Sequence, residues 1–336
     1  MKKYLYFLLT LAAILSLGRG SAQDKPLYVL DKTIPLPGDG GYDYVFIDQQ
    51  NRKLYVSHGT TVNVVDLETE KPVAVIEGMQ GNHGIAVATG AGRGFVSDGR
   101  ANAVLAFDIH TFKTLATIPV TTKGPDGIIY DPYSNHVFVF CGRSNNVSVI
   151  DVNDLREITA IPLGGGPEFA VSDNHGKVYN NLEDKNKIKV IDTRSNAVID
   201  SFDLAPCGGP TGLAIDSINH KLFTVCRENK GMSVIDIPTG KVTATVPIGA
   251  GVDAVAYDAK TKLVFCSNGD ATTTIIRQDG PDQYTVVQTL ATQTRAKTMA
   301  LDTKTHKIYL SVADLVAGTR NVVPGTFKVL VYAMSK

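Results

Sequence analysis

Residues 124–151 read GPDGIIYDPYSNHVFVFCGRSNNVSVID. Three runs rich in Val, Ile and Phe (GIIYD, HVFVFC and NVSVID) are joined by DPYSN and GRSNN, whose Pro, Asp, Ser, Asn and Gly are turn residues. The runs have strand length and strand composition. The first one, however, opens on a bare carboxylate, Asp126. A strand that otherwise reads as core has no local reason to begin with an acid, so the explanation must lie in what the fold places beside it.

The stretch recurs along the chain. GPTGLAIDSINHKLFTVCRENKGMSVIDIPTGKVTATVPI covers 209–248 and GPEFAVSDNHGKVYNNLEDKNKIKVIDTRSNAVIDSFDL covers 166–204. Further copies begin near Gly41, Asn82, Gly251 and Arg295. The position of Asp126 is occupied in turn by Asp43, His83, Asp126, Glu168, Thr211, Asp253 and Lys297, at spacings of 40, 43, 42, 43, 42 and 44 residues. Each copy holds four β-rich runs, such as GLAID, KLFTVC, MSVID and KVTATVPI. Four antiparallel strands at this period are the blade of a β-propeller. The expected fold is therefore all-β: a seven-bladed β-propeller with four antiparallel strands per blade. One blade cannot cover both its faces, so the copies must pack radially into a ring. The seventh copy has KTMALD, KIYLSV and FKVLVYAM and then ends, one strand short. LYVLDKTIPL, residues 27–36, matches the last run of a copy. It is expected to complete the last blade and close the ring.

KLYVSHGTTVNVVDLETEKPVAVIEG and MSVIDIPTGKVTATVPIG resemble the strand motifs of the YVTN, or YncE-like, seven-bladed β-propellers of bacteria. The resemblance runs over about residues 27–335. It implies an exported propeller; related rings serve as lactonases, lyases, nucleic-acid binders and electron-transfer domains. One departure is ADLVAGTRNVVPGT in the last copy, where the others have a short loop. This insertion is expected to form a flap over one face.

The N-terminus carries Lys2 and Lys3, an apolar run from Leu5 to Leu17, then Gly20, Ser21 and Ala22. The run is shorter than the roughly 20 residues of a membrane span. It reads as a secretory signal, residues 1–22, followed by one propeller domain over 23–336 and no membrane span. The expected location is periplasmic or secreted. Losing that segment removes Lys2, Lys3 and Arg19 and no acid, which leaves 30 basic against 33 acidic residues. Four cysteines lack metal-site spacing. Cys207 precedes the first run of the fifth copy and Cys226 ends its second. Both open on one face, so an oxidising compartment permits a disulfide between them. Cys141 and Cys266 are expected to stay unpaired.

In a propeller the first strand of each blade is innermost, and the loop leading into it opens on the same face as the loop between strands two and three. Asp126 and its counterparts should converge on one mouth of the central channel. His58, Asp98 with Arg100, Arg143, Asn181 with Glu183, Arg227 and Asn268 should join them there. The expected ligand-binding rim is Asp43, His58, His83, Arg100, Asp126, Arg143, Glu168, Glu183, Arg227, Asp253 and Lys297. One reading is a solvated lining in which the acids pair with Arg100, Arg143, Arg227 and Lys297. The other is a binding site, because polar groups of several kinds meet in a concavity. His136, His220 and His306, in turns of the opposite face, read as surface residues.

Carboxylates with an imidazole suit a divalent metal ion, with Asp43, His83, Asp126, Glu168 and Asp253 as candidate ligands. A small anionic or metal-bearing ligand, or a protein partner, fits an exported binding or scaffold protein, and this reading is preferred. A hydrolase or lyase is the alternative, with His83 or His58 as general base beside a carboxylate, His83 with Asp126 or Glu168 in particular, and an arginine such as Arg143 holding an anionic substrate. Single-stranded nucleic-acid binding fits less well. It needs a basic groove interleaved with aromatics, whereas this chain has no Trp and its 13 Tyr and 12 Phe fall mostly within strand patterns. No P-loop is present, since GDGGYDY at 38–44 lacks the Lys-Ser/Thr.

Overall fold

A computed structural model describes residues 27–336; the segment read as a secretory signal lies outside the described residues. Seven four-stranded antiparallel sheets form the chain. Their innermost strands are Tyr42–Asp48, Asn82–Ala88, Pro125–Asp131, Pro167–Ser172, Pro210–Asp216, Ala254–Asp258 and Met299–Leu301. Each touches the innermost strand of the next blade, and the last touches the first, so the sheets stand radially about one axis. The structure is a seven-bladed β-propeller. Among the described residues no helix is long and apolar enough to cross a membrane.

Burial peaks in the second and third strands of each blade and falls toward the outer strand, and the sequence shows why. In the third blade the second strand, HVFVFC, is buried from Val137 to Cys141 because neighbouring blades cover both its faces. The outer strand, Arg156–Pro162, is mostly half-buried or exposed and correspondingly polar. The core is a series of seams between blades. Phe138, Phe140, Val147 and Val149 of the third blade pack on Val178, Leu182 and Ile191 of the fourth. The turns are set by aspartates at strand ends. Asp131, fully buried, accepts hydrogen bonds from Ser134 N and Oγ, and Asn135 follows in the left-handed region at φ 57°. An Asn there bears little strain.

Tyr28–Pro35 pairs antiparallel with Lys328–Met334 and supplies the outer strand of the last blade. Ile34, Leu36, Val329 and Val331 pack there against Leu54, Val56 and Val65 of the first blade. Ion pairs lock the seam on the face opposite the mouth. Arg52 donates to both oxygens of Asp302, at 2.7 and 2.6 Å, and to Glu68 at 2.9 Å. Lys307 joins Asp31 and Glu70. His306, expected at the surface, is instead half-buried, with Nδ1 2.5 Å from Asp258 Oδ2 of the neighbouring blade. The insertion after the second strand of the last blade lies on the mouth face, against the loop that leads into the first blade. Leu315 bridges Val322, and Gly325 N donates to Asp39 Oδ1.

Candidate functional site

The carboxylate that opens each inner strand sits in a β-bulge. Pairing jumps from Pro125↔Cys141 to Ile128↔Val139, so Asp126 and Gly127 together oppose Phe140. The same shift isolates Asp43 and Tyr44, His83 and Gly84, Glu168 and Phe169, and Thr211 and Gly212. An extra residue twists the strand and re-aims its side chain, here toward the axis. That is why a core strand can begin with an acid.

Buried polar side chains of the second strands hold the bulges in place, each reaching a carbonyl of the next blade. Ser97 Oγ donates to Asp126 O, Asn181 to Thr211 O and Gly212 O, and Ser267 to Lys297 O. Thr298 Oγ1, just before the inner strand of the last blade, donates to Asp43 O. These positioning residues were not singled out as such from the sequence. The readable signal is a Ser or Asn one place before the end of an otherwise apolar strand, as in KLYVSH, RGFVSD and LVFCSN.

The mouth divides into two charge groups. Asp43, His83 and Asp126, from three successive blades, place one ligand atom each within 4.8 Å of one another. His83 Nδ1 lies 2.8 Å from Asp43 Oδ2 and 3.6 Å from Asp126 Oδ1. Opposite them, Arg227 bridges Glu183, at 2.6 Å, and Asp253, and Lys297 takes the other oxygen of Asp253. Glu168 stands between the groups with no cation bound to it among the described residues. Burial, then the charges of Glu183, Asp126 and Asp253, pushes the Glu168 carboxyl up from its ordinary value. Burial and the charge of Asp43 likewise raise Asp126. Burial pulls His83 down, but Asp43 and Asp126 outweigh it and the imidazole ends above its usual value. Acids therefore outnumber the cations paired to them on the Asp43–Asp126–Glu168 side, and Asp126 and Glu168 hold their protons more tightly than free carboxyls do.

Other expected rim residues are placed differently. His58 is almost wholly buried, its ring stacked on Phe327 at 3.8 Å, and burial lowers its pKa. It packs a seam and does not face the cup. Asp98 is buried, accepting from Gln80 N and Gly81 N. Arg100 and Arg143 are exposed and make no ion pair among the described residues. Arg100 shares a hollow of about 370 Å³ with Asp43 and His83, while Arg143 lies over Gly124. Asp253, with both oxygens held by cations, is an anchor rather than a free metal ligand. Cys207 and Cys226 are joined by a disulfide with Cα atoms 5.3 Å apart; Cys141 and Cys266 are free and buried.

The next layer along the axis is formed by Tyr44, Gly84, Gly127, Phe169, Gly212, Ala254 and Thr298, one from each blade. Small residues leave the axis open and two aromatics fill it. Tyr44 and Phe169, three blades apart, meet with ring centroids 4.6 Å apart. A Cβ at Gly127 would stand 3.3 Å from the Tyr44 hydroxyl, so glycine gives that ring its room. The mouth is thus a charged cup with an aromatic floor.

No protein-family model matches the chain, and no curated protein does. Solved structures share its fold. The structure of U3-55K superposes with a TM-score of 0.75 at 9% identity, covering 89% of this chain and 97% of that one. The crystal structure of RRP9 WD40 repeats gives 0.76 at 9%, covering 90% and 97%. A chain of Kuenenia stuttgartiensis hydrazine synthase gives 0.53 at 16%, covering 73% and 97%. At these identities the likeness is one of fold. The chain is a seven-bladed propeller similar in architecture to the RRP9 WD40 repeats.

Proposed function

We propose that this chain is an exported binding propeller of the YVTN, or YncE-like, kind whose mouth seats a divalent cation on Asp43, His83 and Asp126. The observation that carries this reading is the convergence of those three groups from three blades. An imidazole with two carboxylates suits Zn²⁺, Mn²⁺ or Fe²⁺. Seating such an ion would neutralise the like charges that now crowd Asp126 and Glu168. Glu168 stands ready as a further oxygen donor, and Arg100, at the edge of the hollow, would meet an anion carried in with the metal. Export is supported by the basic, apolar and small-residue order of residues 1–22 and by a disulfide, which persists in oxidising compartments.

Binding is favoured over His83-based hydrolysis or lysis by the placement of the ring. Nδ1 faces two acids, and Nε2 lies against Gly99, where a Cβ would stand 2.9 Å away. A general base needs a nitrogen turned to substrate; a metal would take the atom that faces the acids. Calorimetric titration with Zn²⁺, Mn²⁺ and Ca²⁺ tests the site. One ion should bind saturably and raise the unfolding temperature. Asp43→Asn, His83→Ala and Asp126→Asn should each weaken it at least ~10-fold, and binding should fall at lower pH as His83 is protonated. Absence of saturable binding by all three ions, or binding indifferent to all three substitutions, overturns the reading.

A further inference from the structure

Beneath the Tyr44–Phe169 floor the axis opens again into a chamber of about 380 Å³. Phe46, Val87, Ile129, Val171 and Ile215, from the first five blades, form its walls. It reaches the face opposite the cup, since Asn174, in the turn after Pro167–Ser172, is among the residues that line it. Among the described residues, no Asp, Glu, Lys, Arg or His lines it. Two of the polar side chains that line it are already engaged: the Tyr130 hydroxyl donates to Asn135 Oδ1 at 3.0 Å, and Ser172 Oγ donates to Asp131 Oδ1 at 2.6 Å. The Asn174 amide at the rim makes no side-chain hydrogen bond among the described residues. Remaining hydrogen-bonding capacity comes from the inner edges of the innermost strands, which have no neighbour strand on the axial side.

We propose that this chamber is a second binding site, separate from the cup, for a neutral, largely apolar small molecule carrying one or two hydrogen-bonding atoms. Size places it within the range of ligand pockets, which are mostly apolar with a few polar groups fixing orientation. Charge sets the class. An ion in this chamber would be stripped of water with no counter-charge on the walls, at large cost, while the mouth acids lie beyond the aromatic floor. Water can bond to the free strand edges but leaves the apolar walls wetted, and an apolar ring would relieve that cost. The blind end and the open rim give one route, from the face opposite the cup. The two ends of one axis would then select opposite chemistries, a cation above and an uncharged ring below.

A matched probe pair tests this. N-phenyl-1-naphthylamine is neutral; 1-anilinonaphthalene-8-sulfonate has the same ring system and a charge. The neutral probe should bind once per chain, saturably, with blue-shifted emission undisturbed by Trp. The sulfonate should bind about tenfold or more weaker. Val171→Phe, which fills the chamber, should abolish binding of the neutral probe. Asn174→Cys carrying a bulky maleimide should block it too, and because Asn174 is exposed that variant leaves the walls intact should Val171→Phe fail to fold. Asp43→Asn at the cup should leave the neutral probe's affinity unchanged, which separates failure here from failure of the metal reading. Equal binding of the two probes, no saturable binding, or binding indifferent to the Asn174 block overturns the proposal.

Discussion

At the seam between the last and first blades, Arg52 lies between Asp302 and Glu68, and Lys307 between Asp31 and Glu70. At the mouth, Asp43, Asp126 and Glu168 crowd one side of the cup. Among the described residues His83 is the one cationic group in ion-pair contact with Asp43 and Asp126, and Lys297 and Arg227 act on the three acids only from the Asp253 side. Both assemblies join residues that are remote in sequence. Asp302 is driven down to about 2: burial acts to raise it, but bonds from Arg52 and Thr305 outweigh that. Asp126 and Glu168 move the other way. Groups that complete each other hold a fold together. Like charges gathered in a concavity are tolerated for another reason, and a ligand that neutralises them is the economical one.

The comparison breaks most visibly at the seam. Removing residues 27–36 strips Tyr28, Ile34 and Leu36, exposed by 0, 3 and 5%, from the last blade. Three such side chains are worth roughly 6 kcal/mol, on the scale of a domain's whole stability. The truncated chain should lose its cooperative unfolding transition in urea; an unchanged midpoint would remove closure from the account of stability. Arg52→Ala comes next. Asp302 is fully buried and would keep only the bonds from Thr305 Oγ1 and Lys304 N. A buried charge left by its partner costs about 3 kcal/mol, read as a fall in the urea midpoint. A loss under ~1 kcal/mol would mean that the pair behaves as a surface bridge.

On the mouth side, the Cys207–Cys226 bond closes a loop with a sequence separation of 19. Converting both residues to Ser should cost about 2–3 kcal/mol through a freer unfolded chain. Asp43, His83 and Asp126 should keep their metal affinity, because their hydrogen bonds and ion pairs involve no residue of that loop. If affinity collapses with stability, cup and scaffold are not separable as described.

The ring was legible in the sequence because its period is carried by strand composition and by Asp at strand ends, both local signals. Closure was legible because the seventh copy lacked a run that residues 27–36 supply. The membership of the rim was readable only in outline. Asp43, His83 and Asp126 could be placed by counting residues, since the bulge recurs at a fixed place in each copy. His58 failed because its surroundings are set by Phe327, which follows the insertion peculiar to the last copy. Counting assigns His58 a position; only packing gives it a neighbour. The aromatic floor was likewise hidden, although Tyr44 and Phe169 stand where other copies have Gly, Ala or Thr. That anomaly acquires meaning once blades one and four are known to face each other across the axis.

The smallest effect sharpens the contrast most. Glu168 has its folded pKa raised, so between its ordinary value near ~4.3 and that raised value the folded state holds a proton that the unfolded chain has released. Stability then falls as pH rises through this window. His83 and Asp126, also raised, act in the same direction. Asp302, being depressed, does the reverse: its contribution is complete above ~4 and is lost as pH drops toward 2. Glu168→Gln removes the proton exchange and keeps the shape. At pH 4 the variant and the parent should unfold at nearly the same urea concentration. At pH 8 the variant should be more stable, by about 0.5–1 kcal/mol after screening in the half-open cup. The gain should shrink when a saturating metal ion supplies the missing positive charge. A variant no more stable at pH 8 than the parent would show that Glu168 already has the compensation that the seam acids enjoy, and the mouth would then be another set of paired charges.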